Sequence, residues 1–228
     1  MTFDRVDNMM IWERVKETPK SETKEVKFGK RKFTAIDPTF QLEQATRLWG
    51  PYGLHWGLSN FEWKVIPAPV SEDPARQGNP IMMLSAVFRY PNPLGSEPRE
   101  AIFPITVDMP LKENDDCTKK LITSARSKAL SYLGFGADIF GGLYEDSQYV
   151  AEMEVKYEKQ EQFRLTALSR IARCTAETEL QGKLNHIRNL AVKKVITIPV
   201  ALEIEQAIME KADDLGFILD DEPAEETD

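Results

Sequence analysis

The spacing of apolar residues changes several times along the chain, and each change marks an element. Phe40, Leu42, Ala45, Leu48 and Trp49 recur near helical spacing, which predicts a helix over residues 37–49. Asp37 can cap it and Pro38 suits its first turn, while Gly50-Pro51 stops it. After the turn at Tyr52-Gly53-Leu54 the period shortens to two. Trp56, Leu58, Asn60, Glu62, Lys64 and Ile66 fall on one face of a strand, and Gly57, Phe61, Trp63 and Val65 mostly on the other. The second face is apolar and is expected to meet the core. The first is polar in its middle and is expected to face solvent or a groove. Residues 67–80 read as a loop. Residues 81–90 form a second strand and 99–109 a third, in which Pro104 marks an edge or a bulge. Three strands in succession with no helix between them imply an antiparallel meander.

Residues 115–134 then return to the helical period. Asp115 or Asp116 can cap the start and Gly134 can close the end. Thr118, Ile122, Ala125, Ala129 and Leu133 gather on one side, flanked by Leu121, Leu130 and Tyr132. Lys120, Ser124, Ser127, Lys128 and Ser131 point away. Arg126 projects at the edge of the apolar arc, and two roles fit it: a guanidinium that snorkels or pairs with a carboxylate, and one held rigidly at a groove. Residues 148–212 are helical in pattern, with breaks expected at Gly182 and Pro199 and a last helix over 201–215. The resulting class is α+β, an antiparallel β-meander packed by a long helix and followed by a helical region. The boundaries expected are an N-terminal arm over 1–27, a core over 28–150, a helical region over 151–215 and an acidic tail over 216–228 too polar to fold.

The 228 residues carry 29 Lys+Arg against 37 Asp+Glu, a net charge of -8. That average argues against nucleic acid as a partner, but the charge is unevenly placed. Residues 213–228 hold eight acidic groups and no basic one, which leaves 29 of each sign in residues 1–212. Basic groups cluster at Lys24, Lys27, Lys30, Arg31 and Lys32, along 119–128, and along 164–194. Such runs are usually solvated surface; interleaved with aromatics, they also suit a single-stranded nucleic acid. Trp56, Phe61, Trp63, Phe88 and Tyr90 line the strands, most of them expected in the core.

Other chemistry finds less support. Asp108, Asp115, Asp116, Asp138 and Asp146 are candidates for a metal-dependent nuclease, yet no pair has a diagnostic spacing. Cys117 and Cys174, with His55 and His186, are too few for a Cys/His metal site. No phosphate-binding glycine loop or dinucleotide fingerprint occurs. No enzymatic activity, metal or cofactor is expected. No apolar run is long enough for a membrane span and no signal peptide is read at the start, so a cytoplasmic place and no membrane partner are expected.

Two stretches carry a family resemblance. One runs over residues 33–57 and contains Trp49-Gly-Pro-Tyr-Gly-Leu-His-Trp56; the other runs over 117–140 and contains Thr123-Ser-Ala-Arg-Ser-Lys-Ala-Leu-Ser-Tyr-Leu-Gly134. Together they resemble the phage single-strand annealing proteins of the Rad-fifty-two superfamily. The resemblance implies a β-β-β-α annealing core over roughly residues 30–150, assembled into rings or helical filaments. It implies ATP-independent binding of single-stranded DNA and of the annealing duplex intermediate, in recombination or repair within the bacterial host cell. A family position for a DNA-contacting basic residue on the long helix matches Lys128; Ser127 stands where a relative can carry Lys. Arg126 and Lys119 are added from the residues themselves, with Lys120 and the strand residue Lys64, and Lys30, Arg31 and Lys32 would line the other wall of the groove. A single-strand binder without annealing activity is the alternative, and a nuclease ranks behind both. The acidic tail would solubilise, recruit a replication or repair partner, or compete with DNA.

Overall fold

The computed structural model describes residues 9–29, 31–68, 78–92, 99–111, 116–193 and 195–220. It is α+β, with a two-stranded and a three-stranded antiparallel sheet among the described residues. The chain divides into two compact units, residues 1–145 and 146–228.

The first unit begins with a short helix, α1 (Met10–Val15), and a hairpin of β1 (Thr23–Phe28) and β2 (Arg31–Ile36). Helix α2 (Pro38–Trp49) follows, and the Asp37 carboxylate accepts from the Thr39 amide at 2.8 Å as its cap. Strands β3 (Gly57–Ile66), β4 (Ile81–Asn92) and β5 (Arg99–Pro110) form the meander in the order β3-β4-β5. Pro104 lies on the edge strand β5, where a missing amide costs no ladder bond to a further strand. Helix α3 (Cys117–Tyr132) packs on β4 and β5. A single helical turn, α4 (Ala137–Phe140), closes the unit.

Register explains which face the core takes. Leu84, Ala86 and Phe88 of β4 pair with Val107, Ile105 and Phe103 of β5, and this face meets Leu121, Ala125, Ala129 and Leu130 of α3. Each large apolar side chain buried there contributes about 1.5–3 kcal/mol. On β3 the simple alternation fails. Ser59 pairs with Val87 but Glu62 with Ser85, so Asn60 and Phe61 oppose one residue of β4 in a bulge. Asn60 takes φ 52°, which asparagine tolerates better than most residues. The extra residue shifts the parity. Leu58 opposes Phe88 and Trp63 opposes Leu84, so both stand on the core side of the sheet. The expected grouping of Leu58 with Glu62 and Lys64 is thereby corrected. Trp63 and Val65 share the core side, yet 40% and 52% of their surface stays exposed at the sheet's edge.

A further correction concerns α3. Asp116 occupies the cap position of α3 without a side-chain cap bond, Thr118 is exposed, and the Ser127 hydroxyl is buried rather than pointing to solvent. Asp115 lies outside the described residues. Residues 9–18 pack within the first unit. Val15 is buried, and the Val15 and Lys16 carbonyls accept from the Gly136 and Asp138 amides. The buried Asp138 carboxylate accepts from the Thr18 amide at 2.7 Å and its hydroxyl at 2.8 Å, and Tyr144 donates to the Thr18 carbonyl. Gly134 is required at this junction: its φ is +99°, and a Cβ there would come within 2.7 Å of the Trp12 ring.

The second unit is a three-helix assembly of α5 (Ser147–Ala172), α6 (Glu177–Val192) and α7 (Ile198–Leu215). Asp146 caps α5 by accepting from the Gln148 amide at 2.8 Å. The core is aliphatic, built on Ile171, Leu180, Leu184, Ile187, Ile204 and Ile208. Gly182 lies within α6 and breaks nothing; the turn instead falls between α5 and α6, and Pro199 sits in the first turn of α7. After α7, Gly216 turns the chain and Leu219 packs back on this core. Residues 221–228 of the expected tail lie outside the described residues.

Candidate nucleic-acid interface

The hairpin is built by alternation. Glu25, Lys27, Lys32 and Thr34 project from one face, and Val26 and Phe33 from the other. Lys27 and Lys32 are direct cross-strand partners, and both are exposed. Glu25 reaches Lys32 at 3.3 Å, while Lys27 has no ion pair with a described residue. Like charges facing one another across a strand pair are destabilising by about 0.2–1 kcal/mol. Lys30 lies outside the described residues, and of Arg31 only the backbone in β2 is described. Lys24 is taken by Asp37 at 2.8 Å; that bond, followed by the Thr39 amide, holds the Asp37 carboxyl below its ordinary range.

The remaining sequence candidates are dispersed. Lys64 is exposed on the face of β3 opposite the core. Lys119 lies 4.0 Å from Asp116, and Lys119 and Lys120 are exposed on the first turn of α3. Lys128 donates to the Thr106 carbonyl on β5 at 3.0 Å. Arg126 turns elsewhere, with its guanidinium carbon 5.8 Å from the centre of the Tyr52 ring. Its Nε is buried with no hydrogen-bond partner among the described residues. The two α3 residues thus reach different elements, Lys128 the edge strand and Arg126 the turn before β3.

That turn is preformed. Gly50 and Gly53 take φ +81° and +90°, the Trp56 indole donates to the Gly50 carbonyl at 2.7 Å, and the Gly53 amide donates to the Trp56 carbonyl at 2.7 Å. Tyr52 packs edge-on to Trp56 at 5.0 Å, and its hydroxyl accepts from the Leu58 amide at 3.2 Å. A partly exposed Tyr52 under Arg126 is a rigid site where a cation stands over an aromatic face. The strand aromatics divide sharply. Trp56 and Phe88 are fully buried, burial raises the Tyr90 hydroxyl above its ordinary pKa, and Phe61 and Trp63 remain exposed.

The acidic candidates do not converge. Asp108 is exposed on β5, Asp116 stands before α3, Asp138 is consumed in the buried Thr18 network, and Asp146 caps α5. Among the described residues no group of three or more His, Cys, Asp or Glu could hold a metal ion. Cys117 and Cys174 are both buried, and neither is near the other in sequence or unit.

Lys27 and Tyr52 were missed as site residues in sequence. The cue for Lys27 was the two-residue spacer of Gly29-Lys30 inside the basic run, which permits a hairpin and so a pairing with Lys32. No family model and no curated protein matches the chain. Among the described residues no helix is long and apolar enough to cross a membrane.

Proposed function

We propose that the chain binds single-stranded DNA and anneals complementary strands without nucleotide hydrolysis, in phage homologous recombination or repair. The observation that carries this reading is the exposed hairpin that sets Lys27 opposite Lys32 beside Arg31 in β2. A polyanion laid along the hairpin turns that repulsion into two phosphate contacts and releases counterions. The meander backed by α3 supports the reading, because it is the arrangement expected of the annealing proteins that the two sequence stretches resemble. Base pairing supplies the free energy of annealing; the protein's part is to hold the backbone extended and to lower phosphate repulsion, so no catalytic residue is needed. In this reading the protein works as a homo-oligomer, ring or helical filament, in the cytoplasm of the bacterial host. It holds both the single strand and the annealing duplex intermediate, and its acidic tail is available to a replication or repair partner.

A single-strand binder without annealing activity is the second reading, favoured by the exposed Phe61 and Trp63. Bases stacked on those rings are held out of pairing, at about 1–3 kcal/mol per base. Mixing labelled complementary strands with and without protein separates the two. The proposal expects faster pairing at low salt without ATP or magnesium. Protection of the strands without faster pairing supports the second reading, and magnesium-dependent loss of the strands overturns both.

A further inference from the structure

The basic run over residues 164–194 belongs to the second unit, and the fold sorts it into two sets. Arg164 is neutralised by Glu161 and Glu203, and Arg188 pairs with Glu205 at 3.5 Å. Arg170, Arg173, Lys183 and Lys193 make no ion pair with a described residue, and of these Arg170 and Lys183 share one groove. With Lys159 and His186 they rim a groove of about 390 Å³ beside α5 and α6, and none of the four makes an ion pair or side-chain hydrogen bond with a described residue. The floor is apolar, with Phe163 and the buried Ile187 and Ile204. Such a basic rim suits a short acidic segment.

The chain itself carries one. Residues 221–228 read Asp221, Glu222, Pro223, Ala224, Glu225, Glu226, Thr227, Asp228. The point at which this segment leaves the fold is fixed on the same helix. The Asp220 amide donates to the Gln181 side-chain oxygen at 2.8 Å, and the Gln181 amide group donates to the Asp220 carbonyl at 3.3 Å. Lys183 stands two positions beyond Gln181, about 200° round α6. Crossing half the girth of a helix about 10–12 Å wide takes roughly 16–19 Å. Eight extended residues reach about 27 Å.

We propose that residues 221–228 dock in cis in this groove, with residues 221–224 spanning α6 and the carboxylates of Glu225, Glu226 and Asp228 on the rim formed by Lys159, Arg170, Lys183 and His186. The docked segment makes the groove self-occupied, and an anionic partner must displace it. This inference stands on the second unit alone and does not depend on DNA binding by the hairpin.

Zero-length carbodiimide coupling, which joins a carboxylate to a lysine amine with loss of water, tests it on the full chain. Products are mapped by mass spectrometry on an equal mixture of isotopically heavy and light protein. The expected result is that tail carboxylates couple chiefly to Lys159 and Lys183, within one chain. Coupling should fall about fivefold in Arg170→Glu, which removes a rim cation without touching either amine. It should also fall in about 1 M NaCl, where the Debye length is about 3 Å. Arg170 is exposed, so the variant keeps its fold, checked by circular dichroism. Coupling spread over lysines elsewhere, coupling concentrated on Lys27 and Lys32, or predominantly heavy–light products would each overturn the proposal.

Discussion

The two units solve the same problem with different materials. The first is a sheet-and-helix core rich in aromatics, in which Trp49, Trp56, Phe88 and Phe103 meet through edge and tilted contacts. It depends on polar pins, above all the buried Asp138–Thr18 network, and on glycine where α3 ends. The second is aliphatic and helical, and among its described residues no carboxylate is buried. Their cations differ in the same way. In the first unit the hairpin presents them on an exposed two-stranded face; in the second they rim a concave groove. An exposed face suits a long polyanion that binds by its backbone, while a groove with an apolar floor suits a short segment of defined sequence.

The largest expected effect is on the aliphatic core. Leu184→Ala removes a fully buried side chain and should destabilise the second unit by about 3 kcal/mol, seen as roughly hundredfold faster hydrogen exchange of α6 amides. Next comes the polar pin. Asp138→Ala leaves the Thr18 amide and hydroxyl without their acceptor, and about 2 kcal/mol should be lost. All four tryptophans lie within residues 1–145, so their fluorescence in a urea titration reads this loss. An unchanged midpoint would mean that the strap over residues 16–18 is held by something other than Asp138.

A smaller effect belongs to the cap. Asp37→Ala removes the acceptor for the Thr39 amide and the partner of Lys24, and should cost about 1 kcal/mol near neutral pH. Because the folded-state pKa of Asp37 lies below the ordinary carboxylate value, its contribution is present above that value and is lost as pH falls through the folded pKa. The stability difference between wild type and Asp37→Ala should therefore shrink on acidification. A difference that stays constant down to acid pH would mean the carboxylate charge is irrelevant to the cap.

Much of the first unit was legible because its signals are local. Asp37-Pro38 and Gly50 bracket α2, and three uninterrupted β-period segments with Pro104 in the last leave a meander as the simple topology. The bulge at Asn60 was not legible: a parity shift leaves every residue in a plausible strand and changes only which face it takes. The β1–β2 hairpin hid in a basic run because its polar and apolar alternation, Lys27 and Lys32 against Val26 and Phe33, spans only six residues a strand. In the second unit the turn after α5 carries neither Gly nor Pro, so the breaks were assigned to Gly182 and Pro199, the residues that usually make them. The site was harder than the fold for a physical reason. Lysines clustered in sequence were expected to cluster in space, but Arg126 and Lys128 lie two positions apart on a helix, about 200° round its axis, and reach Tyr52 and Thr106 respectively.

The central claim is that the hairpin cations hold the single strand. The direct measurement is the annealing rate of complementary strands with wild type and with Lys27→Glu/Lys32→Glu, across a salt series. Both side chains are exposed; the double variant exchanges one like-charged pair for another and loses the Lys32–Glu25 bond, so it should fold with a loss of at most about 1 kcal/mol. The account predicts slower annealing and a shallower salt dependence of single-strand binding, by about 0.7 in log–log slope for each phosphate that the variant no longer neutralises. An unchanged rate with an unchanged slope would contradict it.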